Sequence, residues 1–193
     1  MTKNIHIDNI ITEKLAFIGG KMKLYPNFYF NNILEITIPF LHENAIQGLI
    51  LDMDNTLIDF DRKLLEGTEQ WVAELKENGI QLCIVSNSNH KEKVKTVAKR
   101  LQIPYFYFAK KPLKSGFKKA KEKLGLENKQ IAAVGDQIFT DVLGANRSHM
   151  ISILVEPLGK KDIWITRLKR PLENAIIQRG KRKLQEIKKK TQK

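Results

Sequence analysis

Cysteine is almost absent from this chain of 193 residues. A lone Cys83 excludes an intrachain disulfide and leaves no thiolate cluster for zinc. It lies in an apolar run and reads as a small buried hydrophobe. Thiolate-based phosphate chemistry needs an arginine shortly after the cysteine, and the position where it would stand is Asn89. The four histidines, His6, His42, His90 and His149, show no metal-ligand spacing. Nowhere is there a run of about 18 apolar residues, so no segment reads as a membrane span. Residues 1–10 lack the apolar stretch of a secretory signal, and cytoplasmic residence is the expectation.

Acidic residues are also few, 21 Asp+Glu against 34 Lys+Arg, for a net charge of +13. The excess is unevenly placed. Residues 159–193 hold 13 basic and 3 acidic residues, while residues 1–158 hold the other 21 and 18. A nearly balanced body therefore carries a basic appendage, suited to anionic lipid or to nucleic acid. No nucleic-acid-binding motif accompanies it. Leu172, Ile176, Gly180, Leu184 and Ile187 recur near helical spacing beside Arg179, Lys181, Arg182 and Lys183. With Pro171 placed for a first turn, this predicts a basic amphipathic helix, lying on an anionic surface or docked on the core.

What the chain does have is a series of short apolar runs. They cover residues 49–53, 80–85, 103–108, 131–134 and 151–155, and predict five buried strands. Helical patterns fill the gaps at 67–78, 90–101, 115–124 and 139–146, with Asn78-Gly79 and Gly125 as stops. Strand and helix alternate, which predicts an α/β fold, a doubly wound parallel sheet with helices on both faces. Residues 1–47 read as an N-terminal extension packed on the core, with a short helix at 14–22. Residues 48–158 read as the core and 159–193 as the basic segment.

Each predicted strand ends on polar residues of a distinct kind, and strand carboxyl ends build the ligand crevice of an open α/β sheet. The first offers Asp52-Met53-Asp54-Asn55-Thr56, and the second Ser86 and Asn87. The third is followed by Lys110-Lys111-Pro112, and the fourth by Gly135-Asp136 with Asp141 five residues on. Crowded carboxylates repel, so a divalent cation is needed to keep them ionised, and magnesium suits all-oxygen ligands. Aspartate is ionised at neutral pH and needs no base to act as a nucleophile. A second carboxyl can protonate a leaving alkoxide and then take a proton from water. A lysine and a hydroxyl can neutralise and bind a transferring phosphoryl group.

The segments LDMDNTLID, IVSNSN, AKKP and VGDQIFTDVLGANR resemble the four motifs of the haloacid dehalogenase superfamily. The resemblance implies an aspartyl-phosphate mechanism with Asp52 as nucleophile and Asp54 as general acid and base, the Asp54 carbonyl also facing magnesium. It implies Lys111 as the catalytic lysine, in preference to Lys110, and Asp136 and Asp141 as the remaining metal-site acids. Thr56, Ser86, Asn87 and Arg147 become the expected substrate-binding residues. An acid at position 54 argues against a dehalogenase, which lacks it.

A narrower resemblance, through LYPNF, DMDNT, GDQIFTDVLGANR and ITRLKRPLE, is to the YqeG-type branch of subfamily IIIA. That branch includes phosphatidylglycerophosphate phosphatases. Asn27 departs from it where an acid is expected, and Lys169 where asparagine is. The intervals between motifs hold one helix and one strand each, too short for a cap domain, so an open crevice for a bulky substrate or a membrane-borne headgroup is expected. A flap at 57–65 is the one cover the lengths allow. The implied activity is magnesium-dependent hydrolysis of a phosphomonoester, with phosphatidylglycerophosphate as substrate. The implied place is the cytoplasm, peripheral at the inner membrane face through the basic tail. The alternatives are a soluble phosphatase on a phosphoprotein, sugar phosphate or nucleotide, and a basic RNA- or ribosome-binding protein on the same scaffold.

Overall fold

Successive strand residues point to opposite faces, so an unbroken apolar run must be covered on both sides. A computed structural model describes residues 24–158 of this chain and shows that arrangement. The sheet is six-stranded and wholly parallel. Its strands are β1 (Phe28–Phe30), β2 (Gly48–Leu51), β3 (Gln81–Val85), β4 (Tyr105–Phe106), β5 (Ile131–Gly135) and β6 (Ile151–Val155), in spatial order β1-β6-β5-β2-β3-β4. The helix expected at 14–22 and the basic helix expected in 159–193 lie outside the described residues.

Leu49 and Leu51, Leu82 and Ile84, and Ala132 and Val134 face one core; Ile50, Cys83 and Val85, and Ile131 and Ala133 face the other. The first core is closed by α2 (Thr68–Glu77) and α3 (Lys91–Leu101), through Trp71, Val72, Leu75, Val94, Val97 and Ala98. The second is closed by α4 (Lys114–Leu124) and α5 (Leu143–Arg147), through Phe117, Ala120, Leu124 and Ala145. The helices change face because the chain changes direction. It steps outward from β2 to β3 to β4, then recrosses to β5 and continues to β6. A right-handed crossover puts its helix on opposite faces for opposite steps. Burying a side chain such as Phe117 contributes about 1.5–3 kcal/mol.

Two features differ from the sequence reading. The run at 103–108 pairs over only two half-buried residues, Tyr105 and Phe106, at the sheet edge. The other edge is a sixth strand, β1, parallel to β6. Asn27 anchors it: its backbone N–H donates to the Ser152 carbonyl at 2.9 Å, and its Oδ1 accepts from the Ser152 backbone N–H, also at 2.9 Å. Asn146 donates to the Tyr25 carbonyl at 2.9 Å. Behind β1, Phe28 and Phe30 meet Phe40 of α1 (Ile38–Glu43) edge-on, and Trp71 Nε1 donates to the Ile36 carbonyl at 2.9 Å.

No cap domain interrupts the described residues. Residues 54–65 form a small flap instead, bridged between Asp54 and Ile58 and between Ile58 and Leu64.

Candidate active site

The chain turns outward at β2 and β5, which lie side by side and whose onward connections diverge. That divergence opens a crevice beyond their carboxyl ends. Asp52 follows β2 directly, with its backbone N–H donating to the Val134 carbonyl at 2.9 Å. Asp136 follows β5, and Asp141 returns to the same place on a single π-helical turn, Ile138–Val142. All three are buried, and their carboxylate oxygens lie within 4.8 Å of one another. Asp141 Oδ2 accepts from the Gln137 backbone N–H at 3.1 Å and the Thr140 hydroxyl at 3.3 Å, which fixes its carboxylate. Gly135 makes the approach possible, because a Cβ there would overlap the Asp141 carboxyl.

Lys111 enters from the loop after β4. Its Nζ sits 2.6 Å from Asp52 Oδ1 and 2.6 Å from Asp141 Oδ1, with a side chain only 4% exposed. Asn87 holds that loop: its Oδ1 accepts from the Lys111 backbone N–H at 2.6 Å and its Nδ2 donates to the Lys111 carbonyl at 3.1 Å. Burial pushes the Asp52 carboxyl up to about 7, against the pull of Lys111 and with added repulsion from Asp141 and Asp54. Burial works against the Lys111 charge too, but Asp141 and Asp52 outweigh it and raise its pKa.

The donor set fits a divalent metal. Three carboxyl groups crowd against one ammonium in a buried space, and all the candidate ligand atoms are oxygens. A cation there would draw the Asp52 pKa back down. Two hydroxyls on the same loops and strand ends are buried. Ser86 is 1% exposed at the end of β3, and its Oγ accepts from the Ser88 N–H at 3.1 Å. Thr56 is 1% exposed, and its Oγ1 has no hydrogen-bond partner among the described residues.

The remaining candidates stand apart. Lys110 is exposed and lies over the Phe108 ring, 4.8 Å from its centre. The Asp54 side chain is 38% exposed and lies outside the carboxylate cluster, paired with Lys93 of α3. Arg147 ends α5, four residues before β6 begins. No ion pair joins it to the crevice residues among those described. Six residues of helix separate it from Asp141, about 9 Å of rise. Lys93 carries no motif of its own. The one signal was its place in the first turn of α3, just after the Ser86-Asn87 strand end.

Comparison with known proteins bears on what such a crevice does. The model for "haloacid dehalogenase-like hydrolase" matches residues 60–149. The "Probable phosphatase YqeG" of Bacillus subtilis (strain 168) is 40% identical over 163 residues, 82% of this chain and 92% of that one. The chain belongs to the YqeG phosphatase family of haloacid dehalogenase-like hydrolases. This YqeG-type chain is also 24% identical over 192 residues to "Phosphatidylglycerophosphate phosphatase 1, chloroplastic/mitochondrial" of Arabidopsis thaliana, covering 94% of itself and 55% of that protein. Among solved structures, an uncharacterized protein from Listeria monocytogenes serotype 4b superposes with a TM-score of 0.50 at 20% identity, over 61% of the YqeG-type chain and 85% of its own. That likeness is one of fold. The YqeG-type protein is thus a haloacid dehalogenase-type phosphatase, with an acidic cluster arranged as a metal site.

Proposed function

We propose that this phosphatase hydrolyses the phosphomonoester of phosphatidylglycerophosphate with magnesium, through an aspartyl-phosphate on Asp52. One observation carries the reaction: the Lys111 ammonium bridging Asp52 and Asp141 at 2.6 Å, with Asp136 beside them. Asp52, Asp136 and Asp141 would hold the metal, with the Asp54 carbonyl completing the protein's share. When bound, the metal supplies charge neutralisation to the phosphoryl oxygens.

The residues divide the work. The free oxygen of the Asp52 carboxylate attacks phosphorus in line, forming the acyl phosphate as the bond to the ester oxygen breaks. Asp54, on the open side of the crevice, gives its proton to the departing alkoxide. It then takes one from the water that attacks the aspartyl-phosphate, and inorganic phosphate leaves with Asp52 restored. Lys111, locked by Asn87, neutralises charge on the transferring group, and the Ser86 and Thr56 hydroxyls bind its equatorial oxygens.

The lipid assignment is supported by similarity to the named plant phosphatase, by a crevice without a cap among the described residues, and by a basic chain. The division into residues 1–47, 48–158 and 159–193 belongs to the same proposal, the last segment serving as a peripheral membrane anchor. The test is phosphate release from phosphatidylglycerophosphate in detergent micelles, beside phosphopeptides, sugar phosphates and nucleotides, with acid-quench trapping of labelled enzyme. Turnover of the lipid with label on wild type but not on Asp52→Asn is the expected result. Preference for a soluble ester would replace the substrate, and turnover by Asp52→Asn would remove the covalent mechanism.

A further inference from the structure

Large apolar side chains are seldom left exposed without reason, and where they cluster matters more than how many there are. Among the described residues the exposed ones are Phe60 at 56%, Tyr107 at 41%, Phe108 at 53% and Leu113 at 49%. None lies on the helical faces or at the amino edge of the sheet. Tyr107, Phe108 and Leu113 belong to the loop after β4, and Phe60 to the flap after β2. In a parallel sheet both connections leave from one edge, the edge that carries Asp52.

The loop after β4 is built rigidly. Phe108 N–H donates to the Ser88 carbonyl at 2.9 Å, Ala109 N–H to the Ser86 carbonyl at 3.0 Å, and Leu113 N–H to the Lys110 carbonyl at 2.9 Å. The same loop sends Lys111 inward to the nucleophile. Phe108 and Lys110 adopt φ of 50° and 55°, a left-handed backbone that bulky residues resist. The chain therefore accepts strain while it presents a phenyl ring outward at the mouth of the crevice.

Charge accompanies the apolar groups. Residues 107–114 contain Lys110, Lys111 and Lys114 and no acid. Lys110 lies over the Phe108 ring and Lys91 over the Tyr107 ring, 4.8 and 5.9 Å from their centres. Aromatic rings flanked by lysines suit the headgroup level of an anionic bilayer, where the ring enters the acyl boundary and the ammonium meets phosphate. The end of the described chain lies at the same place: Leu158 N–H donates to the Asn55 carbonyl at 2.9 Å.

We infer that the mouth of the crevice, through Tyr107, Phe108, Leu113 and Phe60 with Lys91, Lys110 and Lys114, docks on an anionic lipid surface. The choice of partner rests on the lipid-substrate reading above. Docking in this orientation lowers the open crevice onto the headgroups, so a phosphomonoester reaches Asp52 without the lipid leaving the bilayer. The rim adds to the tail an apolar contact that salt does not screen.

The experiment uses the full chain and sedimentation with phosphatidylcholine vesicles, with and without phosphatidylglycerol, free of any phosphomonoester lipid. Wild type is expected to bind the anionic vesicles. The variant carrying Tyr107→Ser, Phe108→Ser and Leu113→Ser should bind about tenfold less or weaker still, and Lys110→Glu with Lys114→Glu should lose mainly the preference for anionic lipid. Hydrolysis of p-nitrophenyl phosphate should stay unchanged in both. If the triple variant folds poorly, Phe108→Trp serves instead, and brominated lipid should quench its added emission. Equal binding by wild type and triple variant, or an unquenched Trp at position 108, would overturn the rim. So would retention of an RNA oligonucleotide in place of vesicles. The two readings fail separately. Micelle hydrolysis without vesicle binding removes the docking surface and keeps the substrate; rim-dependent binding without lipid hydrolysis keeps the surface and removes the substrate.

Discussion

Lys93, in the first turn of α3, pairs directly with Asp54, the acid placed two residues beyond Asp52. The pair lies at the open side of the crevice, 22% and 38% exposed at the two side chains. It holds the Asp54 carboxylate in place, and in the proposed mechanism that carboxyl serves the leaving group.

Lys93→Met should therefore act on the step in which Asp54 gives its proton. With an alkyl phosphate, whose alkoxide needs that proton, kcat should fall by about tenfold to a hundredfold. With p-nitrophenyl phosphate, whose leaving group is already a stable anion, kcat should change little. Steady-state kinetics on the two esters checks it, and equal losses on both would place Lys93 in phosphate binding instead.

Lys111→Met should leave Asp52 and Asp141 buried without their ammonium. Removing one partner of a buried ion pair costs about 3–5 kcal/mol. Urea denaturation without metal should show a loss of that order, and added magnesium should recover part of it. Activity should be lost with or without the metal.

Magnesium removal is expected to stop phosphate release, and readdition to restore it. Calcium should not substitute, since its larger, looser shell disturbs in-line geometry. A second readout needs no turnover: magnesium should raise the Tm of wild type, and Asp136→Asn should lose most of that rise. An unchanged shift in Asp136→Asn would place the ion elsewhere.

Gly135→Ala puts a Cβ into the Asp141 carboxyl. Asp141 must then move away from Lys111, so magnesium affinity and kcat should both drop, by about tenfold or more. Circular dichroism should remain close to wild type, because the clash is with one side chain and not with the sheet.

Cys83 offers a pH prediction. Burial pushes its thiol from 9.0 up to about 12. A raised folded-state pKa means the stabilising contribution is complete below the unfolded value and is lost as pH rises toward the folded one. Between about pH 9 and 10 the wild type should lose about 1 kcal/mol more stability than Cys83→Ala, measured by urea midpoints. In the native state at neutral pH, iodoacetamide should leave Cys83 unmodified.

The amino-acid order by itself determined the crevice's acids and its lysine. Asp52, Ser86, Lys111, Asp136 and Asp141 each close or follow an apolar run, and a parallel sheet delivers all such ends to one edge. Strand, helix and the two-sided core were legible for the same reason, since period two and period 3.6 are local patterns. Contacts between distant segments were not. Nothing near Phe28 announces that it pairs with Ile153, because the latch is Asn27 gripping Ser152, 125 residues away. Nothing near Lys93 announces Asp54, because the two are 39 residues apart and meet only in the folded chain. Local physics sets which residues end each strand, while the order of the strands and the path of the helices decide which of those residues meet.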